Sequence, residues 1–153
     1  MKRAIKLIIK EGTTFDLYFL NGRVKRYNIL SLADKFPQLN LLKNRKLFES
    51  AQLMGWSGVY WNDELDVDCD TVYSEGKDVT KEYDDVETVI VGYLIKQRRV
   101  RAGLTQKELA QICGIDQSDI SKIEKGIANP SVRTLIRIAN GLDSKLDIVI
   151  GKK

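Results

Sequence analysis

Residues 105–126 read Thr105-Gln106-Lys107-Glu108-Leu109-Ala110-Gln111-Ile112-Cys113-Gly114-Ile115-Asp116-Gln117-Ser118-Asp119-Ile120-Ser121-Lys122-Ile123-Glu124-Lys125-Gly126. Thr105 with Glu108 three residues on is a capping box, in which each side chain satisfies the other's backbone N–H, so a helix is predicted from Gln106. Leu109 and Ile112 supply its inward face, and Ala110 is small where another helix must come close. Gly114 ends it, where the chain needs a left-handed residue. Asp116 is placed to cap a second helix, whose apolar side is Ile120 and Ile123 and whose end is Gly126. Two short helices joined by a glycine-containing turn of three or four residues make a helix-turn-helix. The outer face of the second helix carries Gln117, Ser118, Ser121 and Lys122, residue types that donate and accept at base edges or reach phosphate.

Upstream, Val89, Ile90, Tyr93, Leu94 and Val100 recur at three- and four-residue steps, so a further helix is predicted from Val86, capped by Asp84 or Asp85. Downstream, Leu135, Ile138 and Ala139 follow at helical spacing, and Lys145-Leu146-Asp147-Ile148-Val149-Ile150 alternates as a strand. That strand is expected either to pair with its counterpart in a second copy or to join a sheet formed by the first half of the chain.

Gln106, Ala110, Gly114, Ile120 and Ile123, with Arg99 and Leu104 before them and Asn129-Pro130-Ser131 after, resemble the phage-repressor (Cro/CI, XRE-like) helix-turn-helix family over about Val89 to Leu142. The resemblance implies an all-α, lambda-repressor-like domain that binds double-stranded DNA as a homodimer on a palindromic operator, with half-sites roughly 34 Å apart. It also implies roles. Gln117 and Ser118 contact bases, and Ser121 and Lys122 read further bases or a phosphate. Gln106 contacts phosphate at a helix N-terminus. Asn129, Ser131 and Arg133 form a second backbone-contacting segment. Arg99 and Glu124 form a structural pair. Asp119 departs from the pattern, because its charge faces a polyanion. It either accepts from cytosine N4 or points aside.

The charge distribution agrees with a polyanionic partner for this part of the chain. The net charge is +4 over 153 residues. Residues 1–85 carry 13 Lys/Arg against 14 Asp/Glu, and residues 86–153 carry 12 against 7, so the excess of cations belongs to the second part.

The first part reads differently. Ile5, Leu7 and Ile9 alternate, as do Phe15, Leu17 and Phe19. Asn21-Gly22 is a two-residue hairpin signal, followed by the return strand Val24–Ile29. A short helix is predicted over Ser31–Phe36, stopped by Pro37, and a helical turn near Lys43–Phe48. Strand-like segments then follow at Glu49–Met54, Val59–Trp61 and Leu65–Tyr73. The expected fold class is therefore α+β: a small antiparallel-sheet domain over 1–75, a charged linker over 76–85, and a helix-turn-helix domain with a terminal strand over 86–153.

Phe48 to Tyr73, with Gly55-Trp56-Ser57-Gly58-Val59-Tyr60-Trp61 and Leu65-Asp66-Val67-Asp68, resembles a small bacterial domain of unknown function. That domain occurs alone or fused to helix-turn-helix domains, sometimes beside toxin–antitoxin-like genes. The resemblance supplies a fold hint and a context and no mechanism; a small toxin-like protein is one candidate partner for this part, and a small-molecule ligand is another. Trp56, Tyr60 and Trp61 suit either a binding platform or the packing of a small sheet, and Tyr27 and Tyr73 are ambiguous in the same way.

Composition removes several classes. The chain has no histidine, so the commonest general base and metal ligand are missing, and no enzyme activity is expected. Glu64, Asp66, Asp68 and Asp70 would share one strand face. As a calcium loop they fail, because Thr71 stands where glycine is needed and Lys77 where the bidentate glutamate belongs. No metal or cofactor is expected. Cys69 and Cys113 form no CxxC pair and read as buried thiols. No window approaches the roughly 18 apolar residues of a membrane span. Lys6 interrupts the N-terminal apolar stretch, so it reads as a strand in a cytoplasmic protein and not as a signal peptide. Four functions remain to be separated: a transcriptional regulator, including an autoregulating antitoxin-like repressor; a small-molecule-sensing repressor; a protein-interaction adaptor that no longer binds DNA; and, furthest off, a nuclease.

Overall fold

A computed structural model describes residues 2–54 and 57–151. The chain divides into two compact units, 1–86 and 87–153. In the first, β1 (Ala4–Ile9), β2 (Thr14–Phe19), β3 (Val24–Asn28) and a short β7 (Lys77–Asp78) form an antiparallel sheet in the order β1-β2-β3-β7. Leu7 lies opposite Leu17, and Phe15 opposite Tyr27. A second sheet contains β4 (Gln52–Met54), β5 (Gly58–Asn62) and β6 (Leu65–Asp68). Short helices α1 (Arg45–Glu49) and α2 (Cys69–Glu75) complete the unit.

The alternation read from β2 is half of what burial shows. Phe15, Leu17 and Phe19 enter a core with Tyr27, Phe48, Trp61 and Val72. Asp16 and Tyr18, on the opposite face, are also fully buried. Residues 76–85, expected as a linker, cover that face. Val79 N–H donates to the Val24 carbonyl at 2.9 Å, and Val24 N–H donates to Thr80 Oγ1 at 2.9 Å. Tyr83 packs edge-on against Tyr18 with ring centroids 5.1 Å apart, and its hydroxyl donates to Asp16. Arg26 grips the same carboxylate with Nε and Nη2, both at 2.8 Å. Asp85 accepts from Tyr18 Oη at 2.8 Å and from Lys6 Nζ at 3.1 Å. The charges that made the segment look like a linker are the partners of a polar sheet face.

Other local expectations shift for identifiable reasons. Asn21 does not take positive φ, so the hairpin is not the two-residue turn; only Gly22 does, at 83°, within a longer connection from Phe19 to Val24. Pro37 opens a 3-10 segment, Pro37–Lys43, since its fixed φ suits a first helical position. The segment Ser31–Phe36 holds only the end of a 3-10 turn over Ile29–Leu32. Leu65–Tyr73 is not one strand. Asp68 accepts from the Thr71 N–H at 2.7 Å and so caps α2, which separates Asp66 on β6 from Asp70 on a helix. The shared acidic face does not form. Among the described residues no group of three His, Cys, Asp or Glu side chains is placed to hold a metal ion.

Trp61 is core. It donates from Nε1 to the Phe48 carbonyl at 2.9 Å and stacks on the Phe48 ring. Tyr27 is buried and bonds Glu75, and Tyr73 packs edge-on to Phe19. Gly55 and Trp56 lie outside the described residues. Both cysteines are buried free thiols. No helix among the described residues is long and apolar enough to cross a membrane.

The second unit is α3 (Val86–Arg101), α4 (Gln106–Cys113), α5 (Gln117–Glu124) and α6 (Val132–Gly141), around Leu109, Ala110, Cys113, Ile120, Ile123 and Ile138. Ile112, expected inward, is 56% exposed. The buried side of α4 is Leu109, Ala110 and Cys113, and Ile112 falls beside it. Residues 145–151 form no strand, because a strand requires an edge to pair with and the described residues of this unit contain no sheet.

Candidate nucleic-acid interface

Helix α4, which leads into the turn, is fixed at both ends. At its start, Thr105 and Glu108 form the reciprocal capping box: Glu108 N–H donates to Thr105 Oγ1 at 3.1 Å, and Thr105 N–H donates to Glu108 Oε2 at 2.7 Å. At its end, Gly114 takes φ 62°, and the Ile115 N–H returns to the Ala110 carbonyl at 3.0 Å. Arg137 then reaches from α6 and donates Nη2 to the carbonyls of Cys113, at 2.7 Å, and Gly114, at 2.6 Å. A cation on the C-terminal carbonyls of α4 complements the helix dipole. Arg137 was not singled out from sequence. An arginine on an amphipathic helix gives no local sign that its target is a turn more than twenty residues away.

Helix α5 is held against α3 by an ion pair and by close backbone approach. Arg99 donates Nε to Glu124 Oε1 at 2.6 Å and Nη2 to Oε2 at 2.9 Å, while Nη1 donates to the Leu104 carbonyl at 2.7 Å. Both residues are buried. Burial pushes the Glu124 carboxyl up, but the hydrogen bonds from Arg99 and Gln106 and the charge of Arg99 outweigh it and hold the group below the ordinary glutamate range. The Arg99 guanidinium is raised in turn by its bond to Glu124. A Cβ on Gly92 would lie 2.1 Å from the Ile123 carbonyl oxygen, so only glycine lets α3 come this close.

With Ile120, Ile123 and Glu124 turned inward, α5 exposes Gln117, Ser118, Asp119 and Lys122, with Ser121 half-buried beside them. Asp116 occupies the N-cap position of α5, but its side chain makes no capping bond. Its backbone carbonyl accepts from the Asp119 N–H instead, at 3.0 Å. Asn129, Ser131 and Arg133 are exposed after the helix, and Ser131 Oγ caps α6 by accepting from the Thr134 N–H at 3.1 Å. A recess beside α5 is lined by Asp119, Asn129, Ser131 and Arg137. Gln106 is half-buried, and its Nε2 donates to Glu124 Oε2 at 2.9 Å. The structure therefore gathers Gln117, Ser118, Ser121 and Lys122 on one face, sets Asn129 and Ser131 at its flank, and ties Gln106 to the end of α5.

A helix-turn-helix family profile matches residues 95–149. The HTH-type transcriptional regulator ImmR of Bacillus subtilis is 32% identical over 62 residues, which are 40% of this chain and 49% of that protein. The chain thus spans about half the length of that relative. An uncharacterized HTH-type transcriptional regulator of Methanothermobacter thermautotrophicus is 43% identical over 49 residues, 32% of this chain and 71% of that protein. Among solved structures, the restriction-modification controller protein C.AhdI from Aeromonas hydrophila shares 30% identity over 39% of this chain and 89% of that one, with a TM-score of 0.38. The chain belongs to the helix-turn-helix family, in its phage-repressor-like (Cro/CI, XRE) branch.

Proposed function

We propose that the chain is a sequence-specific DNA-binding transcriptional regulator whose helix α5 enters the major groove. The observation that carries this reading is the exposed polar face of Gln117, Ser118, Ser121 and Lys122 on a helix whose other side is locked by Ile120, Ile123 and the buried Glu124. The first residues of such a helix meet base edges, and a glutamine there pairs bidentately with adenine. Gln106 sits at the N-terminus of α4, where backbone N–H groups favour phosphate. Its amide keeps a second N–H after bonding Glu124. Ser131 caps α6 as an acceptor, and its hydroxyl, 3.0 Å from Thr134 Oγ1, is exposed at the flank where a phosphate would lie. Asn129 and Arg133 complete this second backbone contact.

The regulator acts as a homodimer on a palindrome, in the cytoplasm where its DNA lies. Ile148, Val149 and Ile150 are 62%, 89% and 96% exposed, an apolar terminal segment that supports pairing with a second copy. The first unit carries the partner function. On this reading it binds a small toxin-like protein, which makes the chain an autoregulating antitoxin-like repressor.

Footprinting on the DNA upstream of its own gene tests the regulator. The expected result is a protected palindrome with a dissociation constant of about 10⁻⁸ M or tighter, weakening steeply with salt. No protected site there would overturn the autoregulatory reading. Purification of the tagged full chain from its native host tests the partner: a small protein encoded beside the gene is expected to copurify.

A further inference from the structure

Asp119 is the one acidic side chain on the exposed face of α5. We infer that it sets binding specificity by penalising wrong sites, its charge being offset only where a base amino group meets it. This rests on the DNA-binding reading above.

Asp119 stands in the first turn of α5 and is exposed. Its backbone N–H is used within the turn, and its carboxylate makes no hydrogen bond or ion pair among the described residues. Glu108 is occupied in the capping box and Glu124 by Arg99 and Gln106, whereas Asp119, like the N-cap Asp116 beside it, makes no such bond among the described residues. The recess that Asp119 lines also contains Asn129 and Ser131, so it lies between the base-reading face and the backbone-contacting segment. Both surroundings constrain it once DNA is bound.

An ionised carboxylate only accepts hydrogen bonds. In the major groove, the N7 and O6 of guanine and the O4 of thymine are acceptors and repel it, whereas cytosine N4 and adenine N6 donate. Adenine N6 is best served together with N7 by an amide such as Gln117, which leaves cytosine N4 as the partner for a carboxylate. At a site without that donor, Asp119 faces acceptors and phosphates, and Arg137 of the same recess is committed to the Cys113 and Gly114 carbonyls. The residue therefore weakens binding to most sequences more than it strengthens binding to the correct one.

The test uses the full chain, a site selected from a random duplex pool, and a duplex of unrelated sequence. Asp119→Asn is expected to tighten binding to the unrelated duplex by about threefold to tenfold, the worth of one exposed charge near phosphate. Affinity for the selected site should change by less, so the specificity ratio falls, and reselection should lose a preference for one C·G pair per half-site. Asp34→Asn, with the same charge change at an exposed position of the first unit, is the control and should leave the ratio unaltered. An equal gain on both duplexes, or the same effect from Asp34→Asn, overturns the proposal while leaving DNA binding intact. A wild-type chain that selects no sequence overturns the DNA-binding reading itself, and this proposal with it.

Discussion

Gln106 Nε2 donates to Glu124 Oε2 at 2.9 Å, so the residue that opens α4 is tied to the last turn of α5. The same carboxylate receives Arg99. One buried group thus joins α3, the start of α4 and the end of α5, and anything that removes it loosens three helices together.

This arrangement separates two kinds of DNA-binding defect. On the proposed reading Gln117→Ala removes a base-edge partner, which should cost about 1–3 kcal/mol at the selected site and relax preference at one position. Gln106→Ala removes the proposed phosphate contact together with the bond to Glu124, and should weaken selected and unrelated duplexes alike. Competition binding on both duplexes measures the difference, and equal behaviour of the two variants would reverse the assigned roles.

The Arg99–Glu124 pair should dominate the stability of the second unit. Arg99→Ala leaves a buried carboxylate without its cation, at a cost of about 3–5 kcal/mol. Arg99→Lys should recover only part, because an ammonium cannot reproduce the two parallel bonds. Urea unfolding of the full chain, followed by amide exchange in α5, gives both values.

Acid should act through the same group. The Glu124 carboxyl is held below its ordinary range, as is Asp85, where burial raises the group and the bonds from Tyr18 and Lys6 outweigh it. Groups depressed in the folded state contribute stability that is present above the unfolded value, about 4 for these carboxyls, and lost as pH falls through the lower folded value. Glu124→Gln should flatten that part of the acid limb. At the other extreme, Tyr83 is pushed up to about 12 by burial and by its bond to Asp16. Its contribution is complete below about 10 and is lost as pH rises towards 12, so Tyr83→Phe should remove that alkaline loss. Thermal unfolding as a function of pH follows both limbs.

Gly92→Ala sets two effects of opposite sign against each other. Helix propensity favours alanine by about 1 kcal/mol in a helix interior. The added methyl would meet the Ile123 carbonyl at 2.1 Å, a backbone atom that cannot rotate away. Overpacking of this kind costs roughly 1–3 kcal/mol, so net destabilisation is expected. A rise in the midpoint of chemical unfolding would show that α3 and α5 do not pack this closely.

A fragment ending at residue 75 should not hold the native first unit, because Asp16 and Tyr18 would lose Tyr83 and Asp85. A fragment ending at residue 86 keeps them. Proteolysis and circular dichroism of the two distinguish a linker from a structural cover.

The helix-turn-helix was legible from sequence because its signals are local. The capping box at Thr105 and Glu108, the left-handed Gly114 and the apolar pair Ile120 and Ile123 each act within one helical turn or two, and all recur in the structure. The outer face of α5 followed from the same periodicity. The reading of 76–85 as a linker came from composition alone. Charged residues mark solvent when nothing faces them, and here Arg26 faces Glu82, while Lys6 and the hydroxyl of Tyr18 face Asp85.

By itself, then, the sequence determined the α+β division, the bounds of α4 and α5 and the residues on the exposed side of α5, since these depend on neighbours within a few positions. Only the tertiary structure decided that Glu124 serves Arg99 and Gln106 together, that Arg137 clasps the turn, and that 76–85 closes the sheet. Those contacts join residues from 18 to 67 positions apart. A polar side chain carries no local mark of which distant partner folding will bring to it.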